Sequence, residues 1–94
     1  MNPRPIVPMP PMATGINFVQ AVKEELNAAR AKHAKAINSS HEAYAVILEE
    51  LDEYWEEVRQ NQHRRDRATM LLELVQTAAM CQRAAEDLGL IQKA

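Results

Sequence analysis

The segment from about residue 67 to 88 is apolar around most of its circumference, and this constrains the fold more than any other feature of the sequence. Its main face repeats at helical spacing and comprises Leu71, Leu72, Leu74, Val75, Ala78, Ala79 and Ala85. Met70, Thr77, Met80 and Ala84 keep the side that carries Glu73 otherwise uncharged. A helix that is apolar on several sides is buried on several sides. In a chain of 94 residues, which buries only a thin core, this pattern predicts burial against another subunit.

Two further helices are predicted before this one. The first runs over about 18–36 after the N-cap Asn17, and its apolar stripe consists of Val19, Val22, Leu26, Ala29, His33 and Ala36. The second runs over about 41–60, and its wide apolar face consists of Tyr44, Ile47, Leu48, Leu51, Tyr54, Trp55 and Val58. Ser39 and Glu42 have the spacing of a capping box at its start.

The predicted third helix covers 67–88, with Asp66 as its N-cap and Gly89 as its C-terminal stop. Residues 60–66 form the loop before it. No alternating strand pattern occurs, so the sequence predicts an all-α fold in which three helices per chain build an oligomeric bundle, a dimer or a tetramer. All five prolines fall within 1–15, which predicts an extended arm ahead of a single helical domain over 16–94.

Composition excludes several classes of function. The net charge of −2 argues against a broad basic surface for nucleic acid. Cys81 is the only cysteine, so one chain builds neither a disulfide nor a cysteine zinc site; its Ala/Met-rich surroundings predict a small buried hydrophobe. The absence of a long apolar run predicts no membrane span, and with no secretory pattern at the N-terminus we expect a cytoplasmic protein.

The second helix carries an acidic E-E-x-x-E stretch, formed by Glu49, Glu50 and Glu53. Carboxylates at these spacings project from one side of a helix, and Val46 lies on that same side. A facing helix that adds the carboxylate of Glu73 completes an oxygen-rich set suited to Mg²⁺ or Mn²⁺. The structural alternative is a solvated acidic face, with Glu73 paired to an arginine or bonded to Tyr44 or Tyr54.

These motifs resemble the MazG-like all-α NTP pyrophosphohydrolases over roughly His41 to Leu88. Glu49, Glu50 and Glu53 correspond to the first motif of that family, and Glu73 corresponds to the first position of its E-x-x-D motif. Gln76 stands where the family has an aspartate; E-L-V-Q is similar to the variant in small phage and bacterial MazG-like proteins. The resemblance implies Mg²⁺-dependent cleavage of a nucleoside triphosphate to the monophosphate and pyrophosphate.

In that reading, Glu49, Glu50, Glu53, Glu73 and Gln76 hold one or two metal ions, and Glu50 and Glu53 are catalytic because a glutamate orients or deprotonates the attacking water. Candidate substrate-binding residues are Lys23, Arg30, Lys32, His41 and Arg83. Each of these also fits a surface or capping role, and Trp55 fits the core. Because Gln76 removes a negative charge, a nucleotide-sequestering protein without turnover is the second hypothesis, and a structural or adaptor oligomer is the third.

Overall fold

The computed structural model describes residues 15–60 and 62–92, and these form three α-helices and no strand. Helix α1 spans Phe18–Lys32, α2 spans Ser40–Val58 and α3 spans Arg67–Asp87. Helix α3 packs against both α1 and α2, so the most apolar segment is the shared centre of the chain. The predicted all-α fold is therefore confirmed. Within the described residues no helix is both long and apolar enough to cross a membrane. The predicted proline-rich arm lies, apart from Gly15, outside the described residues.

The three predicted N-caps are confirmed. The side chains of Asn17, Ser39 and Asp66 each accept a hydrogen bond from an amide in the first turn that follows. The capping box of α2 differs in one respect, because the carboxylate of Glu42 accepts from the amide of Asn38 at 2.7 Å. Gly89 ends α3 with a φ of +72°, a left-handed conformation that favours glycine. Local sequence signals thus fix where the helices begin.

Helix α1 ends at Lys32, four residues before the predicted end. The guanidinium of Arg83 on α3 donates to the backbone carbonyl oxygens of Ala29, His33 and Lys35. The carbonyl oxygen of Ala29, in the last turn of α1, also accepts the amide of His33, and His33 and Lys35 lie just beyond the helix. The chain then extends, and Ile37 becomes buried in a small cluster with Ala43 and Ala84. The end of α1 is therefore set by a contact from another helix.

The core is thin and rests on small side chains. Its main cluster of buried residues comprises Val22, Leu26, Val75, Ala79 and Met80. No large side chain among the described residues is fully buried. The predicted stripe of α1 is wrong at Val19, His33 and Ala36, which are all exposed. Val19 lies one turn before Val22, the first buried residue of α1, and His33 and Ala36 follow the end of the helix. Extending the helical period in both directions therefore misplaced these three residues.

Most of the predicted apolar face of α2 lies outside this core. Tyr44, Leu48, Leu51 and Trp55 are exposed, and Tyr44 is 68% and Trp55 55% accessible. Helix α2 instead buries Ala43 and half-buries Val46 and Ile47. Cys81, predicted to be buried, is also exposed. The placement of Trp55 and Cys81 in the core of one chain was wrong, because α3 is the main neighbour of α2 and covers only part of its apolar arc.

A buried ionic network ties the end of α3 to the end of α1. The side chain of Asp87 is fully buried and accepts from the amide of Ile37 at 2.9 Å and from Arg30 at 2.8 Å. Arg83 contacts the same carboxylate at 3.4 Å, and Arg30 also pairs with Glu86. Burial opposes ionisation of Asp87, but the amide and the two arginines outweigh it and lower the pKa of Asp87.

We predict that Asp87→Asn lowers the free energy of unfolding by about 3–5 kcal/mol, because breaking a buried ion pair from one side leaves its partners uncompensated. Urea denaturation followed by circular dichroism measures this loss. Glu56→Gln is the matched control, since Glu56 pairs with Arg59 at 3.8 Å on the surface, where such a pair contributes about 0–1 kcal/mol. Equal losses in the two variants would show that the Asp87 network does not hold the helices together.

Candidate functional site

Three carboxylates from two helices converge on one point. Glu50 and Glu53 lie on successive positions of one side of α2, and Glu73 lies on the facing side of α3. One oxygen from each of these side chains lies within 4.8 Å of the others. These are three of the five residues that the sequence predicted to share a metal site; Glu49 and Gln76 are not part of this trio. The E-E-x-x-E spacing supplies two of its members, and the packing of α3 on α2 supplies the third.

Two oxygens of this cluster are buried without a partner. Oε1 of Glu50 and Oε1 of Glu73 accept no hydrogen bond from any residue in the described part of the chain. The structural alternative was that Glu73 pairs with an arginine or bonds to a tyrosine. No such residue donates a hydrogen bond to Oε1 of Glu73 in the described part of the chain. A buried carboxylate oxygen without a donor or a cation is costly. The arrangement is one that a bound cation relieves.

The cluster holds its protons more tightly than isolated glutamates do. Burial raises the pKa of Glu50 most, and the charges of Glu53, Glu73, Glu49 and Glu25 raise it further. Burial also raises the pKa of Glu73, followed by the charge of Glu53 and a hydrogen bond shared with it. Both shifts have the physical cause expected for like charges in a partly desolvated site. A divalent cation reverses both effects, because it favours the ionised carboxylates.

The cluster borders a cleft of about 620 Å³ between α1 and α2, with α3 as its floor. Its acidic lining consists of Glu25, Glu42, Glu49, Glu50 and Glu53. Lys32, Lys35 and Arg83 contribute positive charge near the end of α1, and Val46 and Met80 contribute apolar surface. Gln76 also lines the cleft, one turn after Glu73 on α3. The cleft therefore combines carboxylates, cations and apolar surface within the volume typical of ligand sites.

The predicted substrate-binding residues divide into two groups. Lys23, Arg30 and His41 are not among the residues that line the cleft, whereas Lys32 and Arg83 are. Arg30 is paired with Glu86 and Asp87. The guanidinium of Arg83 is occupied by backbone carbonyl groups and Asp87. The structure thus gives both arginines a structural role in joining α1 to α3.

Sequence reasoning missed other lining residues, including Lys35 and His33. Both were placed inside a continuous first helix, on the assumption that its period extended to residue 36. In the structure the chain turns out of α1 after Lys32, and this turn brings Lys35 to the cleft. The run K-H-A-K at 32–35 is the only local signal for these cations. These residues reach the cleft where Arg83 donates hydrogen bonds to the carbonyl oxygens of His33 and Lys35.

Comparisons with protein-family models, curated proteins and solved structures gave no match to this chain. The interpretation of the site consequently depends on the residues and their geometry.

We predict that this cluster makes the metal-free protein less stable as the pH rises through the range above the ordinary glutamate pKa of 4.5. The unfolded chain ionises its glutamates near the ordinary pKa of 4.5, whereas Glu50 and Glu73 release their protons only at a higher pH in the folded state. The folded state then binds more protons, so a rising pH favours unfolding. Thermal melting in a chelator across this range measures the effect.

Glu73→Gln is expected to flatten this decline, because it removes one of the two shifted groups while keeping the side-chain shape. Asp52→Asn is the control, since Asp52 is exposed on α2 and is not among the cleft residues. If the profile of Glu73→Gln runs parallel to that of the unmodified protein, the carboxylate cluster is not strained.

Proposed function

We propose that this protein is a Mg²⁺-dependent nucleoside triphosphate pyrophosphohydrolase of the MazG-like type, which cleaves NTP or dNTP to the monophosphate and pyrophosphate. The observation that carries the proposal is the convergence of Glu50, Glu53 and Glu73 with two buried, unpaired oxygens. Glu49, Glu50 and Glu53 match the first motif of the family that the chain resembles, and Glu73 matches the first position of the second, whereas Gln76 departs from the family's aspartate. The adjoining cleft adds Lys32 and Lys35, whose ammonium groups can pair with the phosphate oxygens of a triphosphate.

The donor set fits magnesium in its chemistry. Carboxylate oxygens are the hard ligands that Mg²⁺ prefers, and Mg²⁺ is commonly bound by one or two carboxylates plus substrate phosphates. Glu50, Glu53 and Glu73 would hold the ion, with Glu49 and Gln76 beside them in the cleft. When bound, the metal neutralises phosphate oxygens and makes a coordinated water more acidic. Mn²⁺ is compatible with the same ligands.

The rest of the cleft orients the nucleotide. Lys32 and Lys35 lie near the end of α1 and provide ammonium groups for phosphate oxygens. Val46, Ile37 and Met80 provide apolar surface for a base or sugar. Placing the phosphates between the lysines and the carboxylates brings the reacting phosphorus close to the cluster. This positioning is a large part of what a protein contributes to phosphoryl chemistry.

The carboxylates of the chain also accept the proton of the attacking water. As the water oxygen bonds to phosphorus, the P–O bond of the anhydride bridge breaks and pyrophosphate leaves. The water gives up a proton, and Glu50 or Glu53 accepts it at a carboxylate oxygen.

The second candidate is a protein that binds a nucleotide and does not cleave it. Gln76 favours this candidate, because it lines the cleft next to the carboxylates and contributes a neutral oxygen in place of an anionic one. A site with one less negative charge binds metal more weakly and depends more on the substrate phosphates. Sequestration needs the cleft and its lysines but no activated water.

We predict that Glu53→Ala reduces turnover of nucleoside triphosphates by at least about 100-fold, because it removes a ligand and a candidate base together. Asp52→Ala is the matched control: Asp52 precedes Glu53 on the same helix, is exposed and does not line the cleft. Monophosphate and pyrophosphate are measured across a panel of ribo- and deoxynucleotides with Mg²⁺ or Mn²⁺.

Equal turnover in the two variants contradicts the proposed mechanism, as does turnover that persists in excess chelator. Nucleotide binding by calorimetry without turnover in the unmodified protein selects the sequestering function. If neither binding nor turnover occurs with any nucleotide, both proposals fail and a structural role remains.

We predict that Lys32→Ala weakens nucleotide binding about tenfold, whereas Lys23→Ala leaves it unchanged. Both lysines are exposed on α1, but only Lys32 lines the cleft. Titration of a nucleoside triphosphate followed by calorimetry distinguishes them. An equal loss in both variants would mean that general electrostatic attraction, and not the cleft, determines the affinity.

A further inference from the structure

A second groove lies between the first half of α1 and the first half of α3. It has a volume of about 350 Å³, and Glu24 and Glu25 bring carboxylates to its lining. We name it the α1–α3 groove. Its apolar lining residues are Ile16, Ala21, Ala68, Leu71, Leu72 and Val75.

The apolar lining of this groove is only partly covered. Ile16 is 42% and Leu72 48% accessible, whereas Val75 is buried. Leu71 and Ala21 are half-buried between these extremes. Aliphatic surface that remains in contact with water in this way favours an apolar occupant.

Helix α1 lacks support on the side of this groove. Within the described residues it packs on α3 and barely contacts α2. Its second half is tied to α3 by the ion pairs of Arg30, while its first half relies on apolar contacts such as those of Val22. A segment lying in the groove would contact both helices and hold the first half of α1 in place.

The chain itself leads to the mouth of the groove. Residues 1–14 immediately precede Gly15 and Ile16, and Ile16 lines the groove. Gly15 lies in a turn with a φ of +88°, a conformation that glycine adopts readily and that allows the chain to change direction sharply. The residues just before Gly15 are therefore close to the groove without a long linker.

The sequence M-P-P-M at 9–12 suits an apolar groove of this length. Its two prolines favour the polyproline II conformation, which has three residues per turn and a rise of about 3.1 Å per residue. Met9 and Met12 then fall on the same edge, about 9 Å apart. The groove lining on α3 extends from Ala68 to Val75, which is about 10 Å along the helix.

The chemistry of this segment also suits burial. Pro10 and Pro11 have no backbone N–H, so the segment buries few donors that would need a partner. The unbranched side chains of Met9 and Met12 adapt to irregular apolar surfaces. The segment 9–12 carries no charge, so it pays no cost for burying one.

We propose that residues 9–12 of this chain occupy the α1–α3 groove, with Met9 and Met12 packed against its apolar lining. Residues 13–15 form the connection, and three residues span up to about 10 Å. Because the segment is tethered, its effective concentration is high, and a small apolar contact suffices where two separate chains would need a larger area.

The occupied groove adjoins the candidate site and is independent of the proposed activity. Glu25 lines both the groove and the cleft. The segment would therefore hold the helix that forms one wall of the cleft, whether or not the cleft binds a nucleotide.

The decisive experiment is nuclear magnetic resonance of the full chain with labelled methionine and leucine methyl groups. The chain has five methionines, so their methyl signals are few. We expect nuclear Overhauser contacts from the methyl groups of Met9 and Met12 to those of Leu71 and Leu72. The absence of these contacts overturns the proposal. Contacts found only between differently labelled chains in a mixture also overturn it, because they place the segment on a second copy.

A second measurement compares variants in thermal melting. Met12→Asp is expected to lower the melting temperature by about 4–8 °C, because a carboxylate is costly against aliphatic side chains. Val7→Asp is the matched control, since it adds the same charge to the same segment on a different edge of the polyproline II helix. We expect it to shift the melting temperature by less than about 1 °C.

Leu72→Ala tests the same contact from the side of the groove. Since both changes remove one contact, Met12→Asp should have a smaller effect in the Leu72→Ala background than in the unmodified protein. Equal shifts for Met12→Asp and Val7→Asp, or full additivity of Met12→Asp with Leu72→Ala, overturn the proposal.

Discussion

The buried carboxylate of Asp87 is the contact on which the arrangement of the helices depends. It binds Arg30 and Arg83, and it accepts the amide of Ile37, so it joins the end of α1 to the end of α3. Arg83 in turn donates to the carbonyl oxygen of Ala29 in the last turn of α1 and to those of His33 and Lys35, which follow the end of the helix at Lys32. That exit gives Lys35 its place on the cleft. One ionic network in the interior thus determines where the cations of the candidate site lie.

The carboxylates of the candidate site have the opposite electrostatic surroundings to those of Asp87. Asp87 is surrounded by donors, and its pKa is lowered; Glu50 and Glu73 are surrounded by other carboxylates, and their pKa values are raised. The two groups lie on the same helical framework, so the difference comes from their neighbours and not from the fold. A carboxylate satisfied by arginines stabilises the structure, whereas one left without a donor is available for a cation. Strain of this kind is typical of functional sites.

The α2–α3 pair separates two kinds of surface. One side carries the acidic cleft with its lysines, and the other carries the exposed apolar side chains of Tyr44, Leu48, Leu51 and Trp55. Both surfaces use residues of α2 that are only one or two positions apart, such as Leu48 and Glu49, because the helical period sends adjacent residues to different sides. A thin core of small residues such as Ala79 and Ala84 explains why a single chain leaves so much apolar surface exposed.

The sequence by itself determined the three helices and their N-caps at Asn17, Ser39 and Asp66. It also predicted a site of five residues, of which the carboxylates of Glu50, Glu53 and Glu73 come together. These features depend on local hydrogen bonds and on the helical period, which a short stretch of sequence encodes. Only the tertiary structure decided that α1 ends at Lys32, that Arg30 and Arg83 are structural, and that Trp55 and Cys81 are exposed. Those outcomes depend on which partners lie across the helix interfaces, and the period of one helix does not specify what covers each of its sides.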